Sequence, residues 1–283
     1  MTTKWGRRPL ALVAAGALAL TLAGCGGNDE QPVADKTPVA ETTVAKPSPK
    51  EVVSAAAARS VEAGTANVTM TVVTTVAGQS FTISGKGQMD TAKGALSFDL
   101  TSQLPEVGDF TMHQVVVDDT VYLSGMPGAP EGEWLKMSLD ELGAASGSEL
   151  GGSSDPTEQL RMLEQVSDGV QEAGTETVNG VSATKYTGAI DLAKAVDASA
   201  QQGGADADAL RKQFQQLGLT SLPFELYVDD KGRPVRMTTN METTVEGESM
   251  TMASTIDFTD WGTAVNIQAP ANAVPFSEVV GQG

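Results

Sequence analysis

The sequence predicts an α+β fold: one antiparallel sheet of about ten strands, wet on one face and covered by helices on the other. Three observations carry that prediction. Apolar and polar residues alternate with a period of two over many short runs, the signature of half-buried antiparallel strands. Pairs of turn residues separate those runs at hairpin spacing. Helical signals fall only before and between groups of strands, an order that argues against a doubly wound parallel sheet.

The first element is a helix. Ser48 caps it, Pro49 suits the first helical position and Glu51 completes a capping box. The run stops at Ala63-Gly64, with Val53, Ala57 and Val61 as its apolar stripe. Period two then sets in. Val68, Met70 and Val72, then Phe81 and Ile83, then Leu96, Phe98 and Leu100, then Phe110, Met112 and Val116 alternate with polar residues. Val121-Tyr122-Leu123 and Glu133 to Met137 continue the strands. Breaks at Ala77-Gly78, Thr91 to Gly94, Gly108-Asp109 and Asp118-Asp119 read as turns.

Ser138 to Leu142 reads as a short helix and Gly143 to Ser154 as a Gly/Ser-rich loop. Asp155-Pro156-Thr157-Glu158 starts a second helix, with Leu160, Leu163 and Val166 as its buried stripe. Strands follow over 174–178 and 183–190 around Asn179-Gly180, then helices from Asp191 and from Asp206 to Leu217. Three strands close the domain at 223–228, 234–245 and 250–258. Asp118-Asp119 and Asp229-Asp230 sit at comparable turns, each after a valine. A sheet of this width has to twist and curl.

The N-terminus is built for export. Lys4, Arg7 and Arg8 precede an uncharged stretch from Leu10 to Ala23, which is 14 residues long. A bilayer span needs ~20 apolar residues, so this stretch reads as a secretory signal over residues 1–24. Arg7-Arg8 leaves the route open between general secretion and twin-arginine export. The signal ends Leu22-Ala23-Gly24-Cys25, in front of the only cysteine of the chain. Those four residues resemble the lipobox of bacterial lipoproteins, which implies cleavage before Cys25 and a diacylglycerol on its sulfur. Residues 25–48 carry Pro32, Pro38 and Pro47 among Thr and Ala and read as a flexible tether. Residues 49–283 are then the folded domain, and one cysteine provides no disulfide framework for it.

Charge and motifs remove several functions. Residues 1–24 hold three bases and no acid, so the mature chain carries 36 acids against 15 bases. Nucleic acid is excluded as a partner, since phosphate binding rests on clustered Lys and Arg. Anionic headgroups repel such a domain, which leaves the lipid anchor to hold it at the membrane. His113 is the only histidine and falls on the solvent side of its strand. No His/Cys spacing fits zinc, no Asp-x-Asp-x-Asp-Gly run fits calcium, and no phosphate loop or dinucleotide fingerprint is present. No enzyme, metal or cofactor is expected. A hydrolase would need His113 beside a serine in a cleft.

The strands are rich in methionine. Met70, Met89, Met112, Met237, Met241, Met250 and Met252 all fall on them, several in phase with Phe81, Phe98, Ile256 and Phe258. Unbranched, polarizable methionine suits surfaces that accept varied apolar partners, and it also fills irregular cores.

The chain as a whole resembles the LppX/LprG lipoproteins of mycobacteria and related actinobacteria. The lipobox cysteine, the Pro/Thr tether and the hairpin Val115-Val116-Val117-Asp118-Asp119-Thr120-Val121-Tyr122-Leu123 carry the likeness, with Glu133-Trp134-Leu135-Lys136 after it. Asn179-Gly180, Thr187 to Leu192 and Leu222 to Arg236 continue it in order. The resemblance implies a strongly curved half-barrel with helices over its concave face, similar to the LolA/LolB carriers. It also implies an apolar cavity for acylated lipids or glycolipids, and an envelope transporter as a further partner. The residues placed at such a cavity are Met70, Val72, Phe81, Ile83, Phe98, Met112, Met241, Met252 and Ile256, with Cys25 as the lipid attachment site. The competing expectation is an envelope interaction or sensory lipoprotein with a solid core.

Overall fold

The computed structural model describes residues 46–104, 108–126, 132–139, 141, 163, 169–201, 207–245 and 247–280. Helix α1 (Pro49–Ala63) starts at a complete capping box. Glu51 N donates to Ser48 Oγ at 3.3 Å, and Ser48 N donates to Glu51 Oε2 at 2.7 Å. It stops at Gly64, whose φ of 82° closes the last turn. Its buried side is Val53, Ala56, Ala57 and Ser60. Val61, expected in the stripe, is instead 50% exposed. Eight residues at 3.6 per turn carry it about 80° round from Val53, off the edge of a narrow stripe.

The strands are β1 (Thr65–Val76), β2 (Gln79–Asp90), β3 (Ala95–Leu104), β4 (Gly108–Val117), β5 (Thr120–Ser124), β6 (Leu135–Ser138), β7 (Gln171–Val178), β8 (Val181–Asp191), β9 (Ser221–Val228), β10 (Pro234–Val245), β11 (Glu248–Thr259) and β12 (Val274–Pro275). They form one sheet in the order β12-β6-β5-β4-β3-β2-β1-β11-β10-β9-β8-β7. Two meanders, β1 to β6 and β7 to β11, therefore join through the long antiparallel β1–β11 pair. The sheet is open and curved. Its twelve strands exceed the expected ten or so. The addition that the pattern could not reveal is β12, two residues of the C-terminal tail that pair in parallel with β6. Two residues are too few to show a period.

Turn chemistry follows the residues. Ala77-Gly78, Asp118-Asp119 and Asn179-Gly180 have positive φ at both positions, as two-residue hairpins of type I′ require. The two Val-Asp-Asp turns differ, however. Asp118 and Asp119 are exposed, whereas Asp229 is buried and binds the chain back to itself. Its Oδ1 accepts from Lys231 N at 2.9 Å and Arg233 N at 2.8 Å, and its Oδ2 accepts from the Arg233 guanidinium at 2.7 Å. Gly108 and Asp109, expected at a turn, already belong to β4. The connection lies at 105–107, outside the described residues, as do the 143–154 loop and most of the helix expected from Asp155. Leu163 of that segment is described, and it is fully buried in the core.

Helices α2 (Leu192–Gln201) and α3 (Ala207–Gln216) follow β8, and α4 (Phe276–Val280) follows β12. Arg211 of α3 pairs with Asp197 of α2 and ties the two together. Val53, Ala56 and Ala57 of α1 and Ala195 of α2 share one buried cluster with Met70, Phe98, Leu226 and Ile256 of the sheet. The helices thus cover the same face of the sheet, as expected.

The apolar face as candidate functional site

Residues paired across antiparallel strands point to the same side, so register alone assigns the faces. Met70 of β1 pairs with Gly85 of β2 and Ile256 of β11, and these with Leu100 of β3 and Met237 of β10. Leu100 pairs with Met112 of β4, and Met237 with Leu226 of β9. One row along, Val72 pairs with Ile83 and Ser254. The next row is Phe81, Thr74, Met252 and Met241. All nine residues placed at the expected cavity therefore lie on the helix-covered face.

They do not share one environment. Phe98 and Ile256 are 1% exposed and Met70 6%, all inside the core near α1. Val72 and Met112 pack partly buried against that core. Phe81, Met241 and Met252 are half-buried, and Ile83 is 39% exposed. The face runs from sealed to open along the direction of β1.

Glycine makes the sealed part. A Cβ on Gly85 would lie 2.4 Å from the Phe98 ring, and one on Gly87 only 2.0 Å from the carbonyl oxygen of Ser97. The aromatic ring of β3 lies directly over two glycines of β2, which lets the sheet bend around it. Gly188 of β8 repeats the device with Phe224 of β9, whose ring sits 2.9 Å from where a Cβ would be. Single-residue periodicity does not reveal these glycines as part of the face; their alternation with Phe98 and Phe224 becomes visible only once register is known.

The opposite face is polar and charged. One row reads His113, Asp99, Lys86, Thr69, Asp257, Arg236 and Tyr227 across seven strands. Arg236 holds Asp257 with two hydrogen bonds, of 2.5 and 2.9 Å, and the carboxylate raises the Arg236 pKa. Lys185 donates to Glu225 at 2.9 Å, which holds the Glu225 carboxyl below its ordinary range. His113 is exposed, as its phase implied, and its Nδ1 lies 2.6 Å from Asp99 Oδ1. Ser124 is its cross-strand partner, and no hydrogen bond joins the two among the described residues. Beside this row is a hollow of about 320 Å³ lined by Ser84, Gly85, Lys86, Asp99, Thr101 and Thr111.

Where the described chain begins, Lys46 reaches Glu172 of β7 at 2.8 Å. Tyr186 next to them is buried in the core cluster, and that burial pushes its hydroxyl pKa up. Cys25 lies outside the described residues. Among the described residues no helix is long and apolar enough to cross a membrane, and no three His, Cys, Asp or Glu side chains gather as a metal site.

A sequence model described as a family of unknown function, DUF6612, matches residues 50–274. An uncharacterized 31.2 kDa protein of Streptomyces griseus, from the rplA-rplJ intergenic region, is 30% identical over 158 residues. That match takes in 53% of this chain and 50% of the relative, so the chain spans about half of the relative's length. Among solved structures, the Mycobacterium tuberculosis lipoprotein LppX is 17% identical with a TM-score of 0.43, covering 77% of this chain and 99% of its own. LprF from Mycobacterium bovis is 16% identical with a TM-score of 0.44, covering 80% and 98%. A LolA superfamily protein from Nitrosomonas europaea is 10% identical with a TM-score of 0.31, covering 78% and 96%.

Proposed function

The chain belongs to the DUF6612 family of unknown function, and from that premise we propose that it is a membrane-anchored envelope lipoprotein that binds, and passes on, acylated lipids or glycolipids along its apolar face. Residues 1–24 direct export, a diacylglycerol on Cys25 holds the protein to the outer side of the cell membrane, and residues 25–48 tether the domain from 49 onward. The observation that carries the reading is the graded cover of one apolar face. The face is sealed under α1 and half-exposed at Phe81, Ile83, Met241 and Met252.

The energetics suit acyl chains. Each buried methylene contributes ~0.8 kcal/mol, so about ten of them supply ~8 kcal/mol, the size of a micromolar dissociation constant before the cost of association. No headgroup contact is required, and an envelope transporter receiving such lipid fits the same picture. The test is lipid extraction and mass spectrometry of full-length protein purified from membranes. Non-covalent acylated lipid in stoichiometric amount is expected; protein that is reproducibly lipid-free overturns the reading.

A second reading is an envelope interaction or sensory lipoprotein with a solid core. It is favoured by the α1 end, where Met89, Phe98 and Phe258 are each 1% exposed. Lipid-free protein that still assembles with an envelope partner would select it.

A further inference from the structure

At the open end of the apolar face, three methionines share one side of two paired strands. Met241 of β10 pairs directly with Met252 of β11, and Met250 lies two residues from Met252 on the same strand. Two residues along a strand restore the same side, so all three face the same way. Directly paired side chains start ~5 Å apart at Cβ and diagonal ones ~7 Å, and three flexible bonds per methionine span the remainder. All three are half-buried, neither locked into the core nor free in water.

A second, independent feature points to a cation. Met250 pairs with Thr243, whose hydroxyl donates to the carbonyl oxygen of Leu217 at 2.6 Å. Leu217 sits in the turn that closes α3, so the negative end of a ten-residue helix lies at Thr243, the cross-strand partner of Met250. The formal net charge of −18 also draws cations toward the chain. Thioether sulfur is a soft ligand that selects monovalent copper and similar ions over hard divalent ones.

We propose that Met241, Met250 and Met252 form a binding site for a soft monovalent cation of the Cu(I) class. The site shares Met241 and Met252 with the face proposed for acyl chains, and cation binding is measured separately from lipid content. Binding needs no electron transfer, since the ion arrives and stays in its reduced state.

The test uses Ag(I), a soft ion that air does not oxidise, added to full-length protein carrying Cys25→Ser so that no thiol competes. In chloride-free buffer, saturable one-to-one binding is expected. The methyl resonances of Met241, Met250 and Met252 should shift, while those of the buried Met89 and Met137 stay in place. The M241L/M250L/M252L variant keeps apolar volume and should lose saturable Ag(I) binding. Absence of saturable Ag(I) binding overturns the site, and so does undiminished binding by the triple variant. Shifts confined to other methionines in the wild-type background overturn it even if that variant fails to fold.

Discussion

The two ends of the apolar face are made of the same kinds of residue and differ in what lies over them. Near α1, Val68, Met70 and Phe98 are buried in one cluster with Val53, Ala56 and Ala57. One and two rows further along from Met70, Val72 and Ile83 and then Phe81 and Met252 continue the same pattern half-exposed. Strand alternation decides which side a residue faces; cover is supplied by segments distant in sequence. An apolar face is therefore written into each strand, while the boundary between core and open surface is written between elements.

Stability breaks the two ends apart most strongly. Phe98→Ala at the sealed end should cost ~3–5 kcal/mol, the range for large aromatic truncations in a tight core. Ile83→Ala at the open end should cost well under that, because much of its surface already meets water. Urea denaturation midpoints with unchanged slopes check both. Equal losses would mean that the open end is core as well, and the lipid reading would lose its foothold. If the reading holds, Ile83→Asp should instead strip bound lipid while leaving the midpoint nearly unchanged.

The two Val-Asp-Asp turns sharpen the comparison at smaller scale. Asp229→Ala removes a charged acceptor of two backbone amides and a guanidinium, and should cost ~1.5–3 kcal/mol. Asp118→Asn keeps a residue that tolerates positive φ at an exposed tip and should stay within ~0.5 kcal/mol of wild type. Thermal unfolding of the two variants separates a latch from a simple turn.

Much of this was legible from residues alone. The face assignment of Met70, Val72, Phe81 and Ile83 followed from alternation, and α1 followed from its capping box. What escaped had a different physical origin. Val61 left its stripe because the angular width of a helix face is set by what it packs against. The β12–β6 pair is too short to carry a period. Gly85 and Gly87 act through a ring on the neighbouring strand, so their part needs register. The split into sealed and open ends depends on which helices lie over the strands, and no strand pattern encodes that.

A pH titration probes the sealed end through Asp90. This residue is 7% exposed at the end of β2, next to Thr91, whose hydroxyl donates to the carbonyl oxygens of Ser60 and Gly64 at the end of α1. The side-chain hydrogen bond from Lys93 holds the Asp90 carboxyl below its ordinary pKa against the opposing effect of burial. A depressed folded-state pKa contributes stability above the unfolded value and loses it as pH falls through the folded one. Stability should thus decline on acidification below the ordinary carboxylate range. Asp90→Asn should flatten that decline and, if lipid binds at the open end as proposed, leave lipid content unchanged.

The smallest expected effect tests whether the other face of the sheet has any share in binding. His113 and Asp99 are each 48% exposed in their side chains, so their pair at 2.6 Å is heavily screened. Such a pair is worth ~0.2–1 kcal/mol at most. His113→Ala should shift the unfolding midpoint barely, leave bound lipid intact, and leave Ag(I) binding at the methionines unaltered. The variant is informative because His113 is the one histidine of the chain and borders the polar hollow at Ser84, Asp99 and Thr101. If lipid content fell with His113 while Ile83→Asp left it unchanged, the ligand would have to lie on the charged face. Chain burial could not then drive binding, since that row offers ions and hydroxyls instead of methylenes.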